Sequence, residues 1–327
     1  MLARTWRTLR RRWLAAVFPI FCILVQLGAA EAGRSIDVCL RGCGYTTIQA
    51  AVDDALPGDT IRVAPGTYKE HLSLYDRRIT ITGAGAAKTI VTGDNDGRVM
   101  VLYANSTLTL SNITLRGGKV GDNQGGGIYN DGILIVNDAR IVDNRASVAG
   151  GGIANFGTLV LNDSLVAGNS AYMGNGGGIV NGGRLYVADS TIEENNAAVR
   201  GGGIYHSVAT FTLLRSKVAN NRAAIGGGGV ANFDFMSTAD TKIAANTTDG
   251  AGGGILNGGH LTAVNTTFSG NRADNGNSLY NSGTLVFGAI ESAASGDGVD
   301  CTNMGLMVPL LPGSNGDSFC GPLRPDG

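Results

Sequence analysis

The chain has 327 residues, and 52 of them are glycine, roughly twice the usual share in a globular protein. Charged residues make up 16% and aromatic residues 6%, while the hydrophobic share of 43% is too high for a disordered chain. The formal net charge of −1 argues against a nucleic-acid-binding protein. The chain has only 7 prolines and no three-residue glycine period, which excludes a collagen. The composition also argues against a helical bundle and a Rossmann-type enzyme.

The N-terminal residues have the pattern of an export signal. Several arginines precede an apolar run from Trp13 to Ala30, and Ala30-Glu31-Ala32 matches a small-x-small cleavage site. The arginines also resemble, more weakly, a twin-arginine signal, and the run is just long enough to be an uncleaved anchor. We predict a signal peptide over 1–32 and a secreted, extracellular or cell-surface protein without a transmembrane segment after cleavage. The mature chain would carry 20 basic and 25 acidic side chains, so nucleic acid is not expected as a partner.

Four cysteines remain in the predicted mature chain: Cys39, Cys43, Cys301 and Cys320. An even number of cysteines after an export signal suggests two disulfides. We favour the local pairs Cys39–Cys43 and Cys301–Cys320, because each pair falls at one end of the repeat described below. Free buried thiols are the alternative.

A short amphipathic helix is predicted over Thr46–Leu56. Ile48, Val52, Ala55 and Leu56 would share its buried face, Thr46 or Thr47 would cap its start, and Pro57-Gly58 would end it. Short alternating runs follow the helix and predict strands, because the apolar period is two. These runs are Thr60–Ala64, Arg78–Thr82, Val99–Tyr103, Thr107–Leu110 and Ile113–Leu115.

A repeat of about 25 residues occupies the middle of the chain. Glycine triplets, the last one degenerate, begin at Gly125, Gly150, Gly176, Gly201, Gly227, Gly252 and Gly276. Three residues later there is an aliphatic row: Ile128, Ile153, Ile179, Ile204, Val230, Ile255 and Leu279. Two residues further there is an asparagine row, broken once by histidine: Asn130, Asn155, Asn181, His206, Asn232, Asn257 and Asn281. A second asparagine row is Asn144, Asn169, Asn195, Asn221, Asn246 and Asn271.

Such a repeat indicates an all-β solenoid, in which each copy forms one coil of a parallel β-helix. One coil buries only a few apolar side chains, at roughly 1.5–3 kcal/mol each. Ordering its residues costs roughly 1.5 kcal/mol apiece, so a coil is stable only when stacked on others. Stacked asparagine side chains can bond to one another, and we interpret both asparagine rows as structural. About ten coils are expected, with the N-terminal helix covering the first.

Two stretches near the N-terminus, Tyr45–Val52 and Pro57–Tyr68, resemble the opening of pectin-lyase-like right-handed β-helix proteins. The glycine-triplet and asparagine copies are similar to the repeats of polymorphic outer-membrane proteins. The resemblance implies a single-stranded right-handed parallel β-helix over 33–290, followed by an irregular, disulfide-tied cap or tail over 291–327. It does not imply an activity, because this fold hosts lyases, hydrolases, epimerases, adhesins and passive rods.

The acidic residues suggest calcium as the one candidate cofactor. Four aspartates recur at one position of the repeat: Asp138, Asp163, Asp189 and Asp240. We interpret these aspartates as structural, because aspartate stabilises tight turns. The alternative is a ladder of carboxylates that binds calcium or acts in catalysis. Asp94 and Asp96 form a compact acidic loop that offers the same choice between a solvated turn and a calcium site. The catalytic motifs that the resemblance implies for pectate lyases and galacturonases are not evident, so no catalytic residue is assigned.

In the strand predicted after each glycine triplet, the outward-facing residues are unexpectedly apolar. Such residues can stack on sugar rings or bind a protein. Cover by the chain's own loops is the alternative. The candidate ligand-binding residues are Tyr129, Phe156, Tyr205, His206, Phe233 and Tyr280. His206 is included because it breaks the asparagine row, in a coil that carries one extra residue.

The sequence therefore predicts a secreted or cell-surface β-helix that acts as a binding or adhesion scaffold associated with carbohydrate. A polysaccharide lyase or another carbohydrate-active enzyme of the same fold is the alternative.

Overall fold

The computed structural model describes residues 33–293 and 301–310. In these residues the chain is a parallel β-helix with one short helix, α1, and strands β1 to β36 numbered along the chain. Four ladders of strands run along its axis, and the named strands pair in parallel throughout. A typical coil visits the ladders in the order C, A, B and D. The predicted all-β, right-handed parallel β-helix is thus confirmed.

Ladder A contains the longest strands, with alternate side chains buried. Its strands are β1 (Ser35–Val38), β2 (Thr60–Val63), β5 (Arg78–Gly83), β8 (Thr107–Ser111), β12 (Ile133–Asn137), β16 (Thr158–Asn162), β20 (Arg184–Ala188), β24 (Thr210–Leu214), β28 (Phe235–Ala239), β32 (His260–Ser269), β34 (Thr284–Ala293) and β36 (Leu306–Pro309). The strands β32 and β34 are long enough to continue around the corner into ladder B.

Ladder B follows a tight turn. Its strands are β3 (Gly66–Lys69), β6 (Thr89–Thr92), β9 (Thr114–Arg116), β13 (Arg140–Val142), β17 (Leu165–Ala167), β21 (Thr191–Glu193), β25 (Lys217–Ala219) and β29 (Lys242–Ala244). Ladder D consists of two-residue strands: β10 (Lys119–Val120), β14 (Arg145–Ala146), β18 (Ser170–Ala171), β22 (Asn196–Ala197), β26 (Arg222–Ala223) and β30 (Thr247–Thr248).

Ladder C carries the strands that follow the glycine triplets. It has ten strands among the described residues, which agrees with the predicted number of coils. They are β4 (Leu72–Leu74), β7 (Met100–Leu102), β11 (Ile128–Asn130), β15 (Ile153–Asn155), β19 (Ile179–Asn181), β23 (Ile204–His206), β27 (Val230–Asn232), β31 (Ile255–Asn257), β33 (Leu279–Asn281) and β35 (Cys301–Asn303). The five predicted N-terminal strands all form, with ends shifted by one residue at most.

Helix α1 (Ile48–Asp54) packs against β1, β2 and β4 with Ile48 and Val52 buried, as predicted for a cap. The helix is two residues shorter at each end than expected. The chain becomes extended at Ala55, and Leu56 is 58% exposed. Placing Leu56 on the buried helical face was therefore wrong, because the helix has already ended there.

The N-terminus of α1 is stabilised by a side chain that sequence reasoning missed. The carboxylate of Glu70 accepts hydrogen bonds from the backbone N–H groups of Ile48 and Gln49, both at 2.8 Å. Thr47 caps the same turn through its hydroxyl, which accepts from the Ala50 N–H at 3.4 Å. A negative charge at a helix N-terminus is favourable because the free N–H groups point at it.

The cysteine prediction is confirmed at one end of the rod, where Cys39 and Cys43 form a disulfide. At the other end, Cys301 is buried at the start of β35, but Cys320 lies outside the described residues. The predicted signal peptide over 1–32 also lies outside them, and its cleavage stays a prediction. Within the described part of the chain, no helix is long and apolar enough to cross a membrane.

The β-helix extends beyond residue 290, where the sequence suggested an irregular tail. Strands β35 and β36 add one more step to ladders C and A. Asn303 also extends the asparagine row, accepting from Asn281 Nδ2 at 2.7 Å. This step was missed because no glycine triplet precedes Cys301.

Both asparagine rows are buried and bonded from coil to coil. In the first row the Nδ2 of Asn130 donates to Asn155 Oδ1, and Asn155 donates likewise to Asn181, both at 2.6 Å. In the second row each Oδ1 from Asn169 onward accepts twice from the preceding coil. Asn195 Oδ1, for example, accepts from the backbone N–H and the Nδ2 of Asn169, both at 3.0 Å. These bonds satisfy backbone groups at corners where no strand partner exists.

We expect Asn195→Ala to lower the free energy of unfolding by at least about 2 kcal/mol, because it removes the acceptor of the buried backbone N–H of Asn169 and of one of its two Nδ2 hydrogens. The measurement is chemical denaturation of the purified protein. The matched control is Asn196→Ala, one residue further on, which is exposed and should change stability little. Equal effects of the two substitutions would contradict a structural role for the row.

Candidate functional site

The candidate site is the outer face of ladder C together with the turn that leads to ladder A. Tyr129 and Tyr205 are half-buried at the middle of β11 and β23. Phe156 and Phe233 lie in the turns that follow β15 and β27, and each is 38% exposed. Tyr280 is half-buried at the equivalent position of β33. Of the six predicted ligand-binding residues, five therefore have side chains that reach the surface.

The structure brings four of these residues together in two pairs. The ring centroids of Tyr129 and Phe156 lie 5.6 Å apart with an interplanar angle of 39°. Those of Tyr205 and Phe233 lie 5.6 Å apart at 44°. Members of a pair come from successive coils, so the strand register holds each tyrosine beside the phenylalanine of the next coil.

A glycine in the following coil lies against each phenylalanine ring. A Cβ added to Gly182 would approach the Phe156 ring to 3.1 Å, and one added to Gly258 would approach the Phe233 ring to 2.9 Å. These distances are shorter than ordinary van der Waals contact, so any larger residue would push the ring away. Each phenylalanine is thus held between a tyrosine on one coil and a glycine on the next.

The outward-facing side chains of ladder C form a stripe along the rod. This stripe is not uniformly exposed, because the chain covers part of it. Ala154 and Val180 are buried and pack with Ala149 from the turn before a glycine triplet. Ala231 is fully buried as well. The expected alternative, cover by the chain's own loops, thus holds for the small residues of the stripe, while the large aromatic rings stay accessible between them.

One arginine accompanies each pair. The Arg98 guanidinium lies 5.2 Å from the centre of the Tyr129 ring and donates to the backbone oxygens of Gln124 (2.6 Å) and Gly125 (2.8 Å). Burial lowers the pKa of Arg98 below its ordinary value. Arg200 lies 5.9 Å from the Phe233 ring. Neither arginine forms an ion pair within 33–293 and 301–310.

Sequence reasoning missed part of this face. Arg98 and the exposed pair Tyr75 and Tyr103, whose rings lie 5.8 Å apart, precede the first glycine triplet and so lack the repeat that marked the other residues. Only the register of ladder C identifies Tyr75 and Tyr103 as members of this face. Leu74 and Leu102 align with Asn130 of β11, so the residues that follow them lie in equivalent turns. The aromatic turn row therefore starts two coils earlier than the glycine triplets.

His206 does not reach the surface, so it cannot contact a ligand on this face. Its side chain is fully buried, and its Nδ1 lies 2.9 Å from Asn181 Nδ2, where an asparagine oxygen accepts in other coils. Among the residues that the structure describes, the Nε2 of His206 and the Oδ1 of Asn232 have no hydrogen-bond partner. His206 thus interrupts the first asparagine row. The extra residue of this coil is confirmed, and Ala209 takes it up with a φ of 73°.

Three of the recurrent aspartates line a groove of about 480 Å³ at the corner between ladders A and B. Asp138, Asp163 and Asp189 have φ values of 47–51°, the left-handed conformation that aspartate tolerates in tight turns. Asp189 is held by Arg215, whose guanidinium donates to both carboxylate oxygens at 2.6 and 2.8 Å, and this bond lowers the pKa of Asp189. Lys217 in the same groove pairs with Glu193 at 2.9 Å.

The structure gives the predicted calcium loop an ion pair instead of a ligand cluster. Asp94 pairs with Lys69 at 2.8 Å, and both Asp94 and Asn95 have positive φ values. Asp96 is exposed in the same turn. Across the described residues, no group of three or more histidine, cysteine, aspartate or glutamate side chains is arranged to hold a metal ion.

Comparison with known proteins identifies the fold. No protein-family model and no curated protein matches the chain. The pectate lyase Pel9A superposes with a TM-score of 0.51 and 14% identity over 84% of this chain and 80% of that chain. The ORF18 protein of Geobacillus virus E2 superposes with a TM-score of 0.52 and 14% identity over 86% of this chain and 62% of that chain. A pectin methylesterase bound to a hexasaccharide superposes with a TM-score of 0.47 and 11% identity over 90% of this chain and 99% of that chain. The chain therefore has the pectin-lyase-like parallel β-helix fold.

We expect His206→Asn to reduce the loss of stability between pH 8 and pH 5. Burial lowers the pKa of His206, so the folded state favours the neutral ring. The unfolded chain gains a proton as the pH falls through about 6.5, and the folded state is then disfavoured until its own lower pKa is reached. Asparagine has no such titration and would pair with Asn232.

The measurement is the melting temperature of each protein at the two pH values. His260→Asn is the control, because it makes the same substitution at an exposed histidine. An unchanged pH difference in the His206 variant would show that His206 is not a source of the acid sensitivity.

Proposed function

We propose that this chain is a secreted or cell-surface binding protein that holds an extended polysaccharide on the outer face of ladder C. The observation that carries the proposal is the presence of two tyrosine–phenylalanine pairs at the surface in the same geometry, each fixed by the coil register. Aromatic faces bind the apolar faces of sugar rings, because both surfaces are flat and release water on contact.

The surroundings of the pairs support a carbohydrate ligand. Arg98 and Arg200 lie close to the rings, and a guanidinium is a donor for sugar hydroxyl or carboxylate oxygens. The rod is long and regular, so a linear polymer has room to lie along it. One solved structure with the same fold is a pectate lyase, which makes pectate one polymer to test.

The groove with the aspartates is a weaker basis for function. Two of its charged groups, Asp189 and Lys217, are already engaged in ion pairs with other side chains. Asp138 and Asp163 are exposed carboxylates in turns, and the turn conformation accounts for aspartate there. Binding on the aromatic face therefore has the better structural support.

The experiment is native electrophoresis of the mature protein through gels that contain pectate, alginate or xylan, with and without calcium. Retarded migration with the polymer intact is the expected result. A cleared zone in the gel would overturn a purely binding role and favour a polysaccharide-degrading enzyme. Unchanged migration in every gel would contradict carbohydrate binding.

We expect Phe156→Ala and Phe233→Ala each to weaken binding about fivefold, since a stacking contact contributes on the order of 1 kcal/mol. The measurement is the dissociation constant derived from retardation at several polymer concentrations. Tyr186→Ala is the matched control, because Tyr186 is 37% exposed but lies on ladder A. Equal losses in all three variants would place the polymer elsewhere on the rod.

A further inference from the structure

The outer face of ladder C has a period of three coils, superimposed on the period of one coil. The middle residue of successive strands follows the order tyrosine, alanine, then valine or leucine: Tyr129, Ala154, Val180, Tyr205, Ala231, Leu256 and Tyr280. From β15 to β33, the turn residue after each strand follows the order phenylalanine, glycine, serine: Phe156, Gly182, Ser207, Phe233, Gly258 and Ser282, whereas the turn after β11 has Asp131.

The core rows show no such longer period. The aliphatic row that begins each strand is isoleucine at Ile128, Ile153, Ile179 and Ile204, whichever coil of the three it belongs to. The asparagine row is likewise the same in nearly every coil. A period of three coils that appears on the outside and not in the core does not arise from the packing of the core.

The period produces structurally equivalent units. Both tyrosine–phenylalanine pairs have a centroid distance of 5.6 Å, and their interplanar angles differ by only a few degrees. In both units the next turn is a glycine that meets the phenylalanine ring. Tyr280 begins a third unit, in which its hydroxyl lies 3.0 Å from the sulfur of Met304 at the phenylalanine position.

Between the aromatic pairs the side chains of ladder C are smaller and buried, so they do not project from the surface. Ala154 and Ala231 are fully buried, and Val180 is nearly so. The aromatic pairs are therefore separate platforms and not one continuous apolar surface. Three coils at the spacing of neighbouring strands place successive platforms about 14 Å apart along the axis.

We propose that the aromatic pairs are repeated subsites that bind one linear polysaccharide in register, with one contact for every three coils. This inference rests on the proposed carbohydrate binding and adds its spacing and its number of contacts. The ligand is a chain of pyranose rings lying parallel to the rod axis. It stacks on a platform, which occupies two coils, passes over the buried side chains of the third coil, and stacks on the next platform.

The repetition itself favours a polymer over a folded protein partner. A protein presents a surface that varies from place to place, so it has no use for equivalent contacts at a constant interval. A linear polysaccharide presents the same ring face again and again. The arginine beside each pair, Arg98 or Arg200, adds a donor for the polar edge of the ring that is stacked there.

The test is isothermal titration with galacturonate oligosaccharides and xylo-oligosaccharides of increasing length. Short oligosaccharides should occupy each platform separately, giving more than one molecule bound per protein. An oligosaccharide long enough to reach two platforms about 14 Å apart can occupy both at once. It should then bind one molecule per protein, with affinity higher on the order of 100-fold, because its second contact becomes intramolecular.

The Phe233→Ala variant distinguishes binding across two platforms from stacking on a single platform. It should weaken binding of the long oligosaccharide about fivefold, the same loss as for the polymer, while short-oligosaccharide binding at the Tyr129–Phe156 pair remains. Tyr186→Ala should preserve the full gain with length. Polymer binding with no step in affinity or stoichiometry would overturn the repeated subsites and leave carbohydrate binding intact. Failure of every oligosaccharide and every polymer to bind would overturn both proposals.

Discussion

Parallel pairing in strict register is the constraint on which every other feature of this rod depends. Each coil donates and accepts backbone hydrogen bonds only with the coil before and the coil after it, so a residue and its counterpart one coil later are fixed side by side. A shift of one residue would turn every inward side chain outward. The buried asparagine rows resist such a shift, because a slipped coil would leave their amides unpaired in the interior.

Register converts sequence repetition into surface rows. The same rule that stacks asparagine on asparagine inside the rod stacks Tyr129 beside Phe156 outside it. Nothing in a single coil would hold these rings together, since they lie 27 residues apart in the chain. The pairs are therefore as rigid as the strands that carry them, which limits the entropy lost when a ligand stacks on them.

The sequence predicts the fold well because repetition supplies independent measurements of the same pattern. Seven copies of the triplet fix the strand that follows, and even the looser N-terminal strands are placed within a residue. Prediction fails where the pattern is not repeated. Glu70 caps α1 across 22 residues of chain, and Cys301 begins a coil without a triplet. His206 looked like a surface residue because its row was broken, whereas burial depends on the row and not on the residue type.

The three-coil unit also determines how such a molecule can change length. Tyr205 follows Tyr129 by 76 residues, and the two residues hold the same place on ladder C, although His206 stands where the earlier coil has Asn130. Insertion or deletion of one such unit would join similar surfaces, so neither cap would need to adapt. Unequal recombination between units would thus produce longer or shorter rods that still fold. The number of aromatic platforms would change with them, and reach along a polymer would evolve by copying instead of by new mutations.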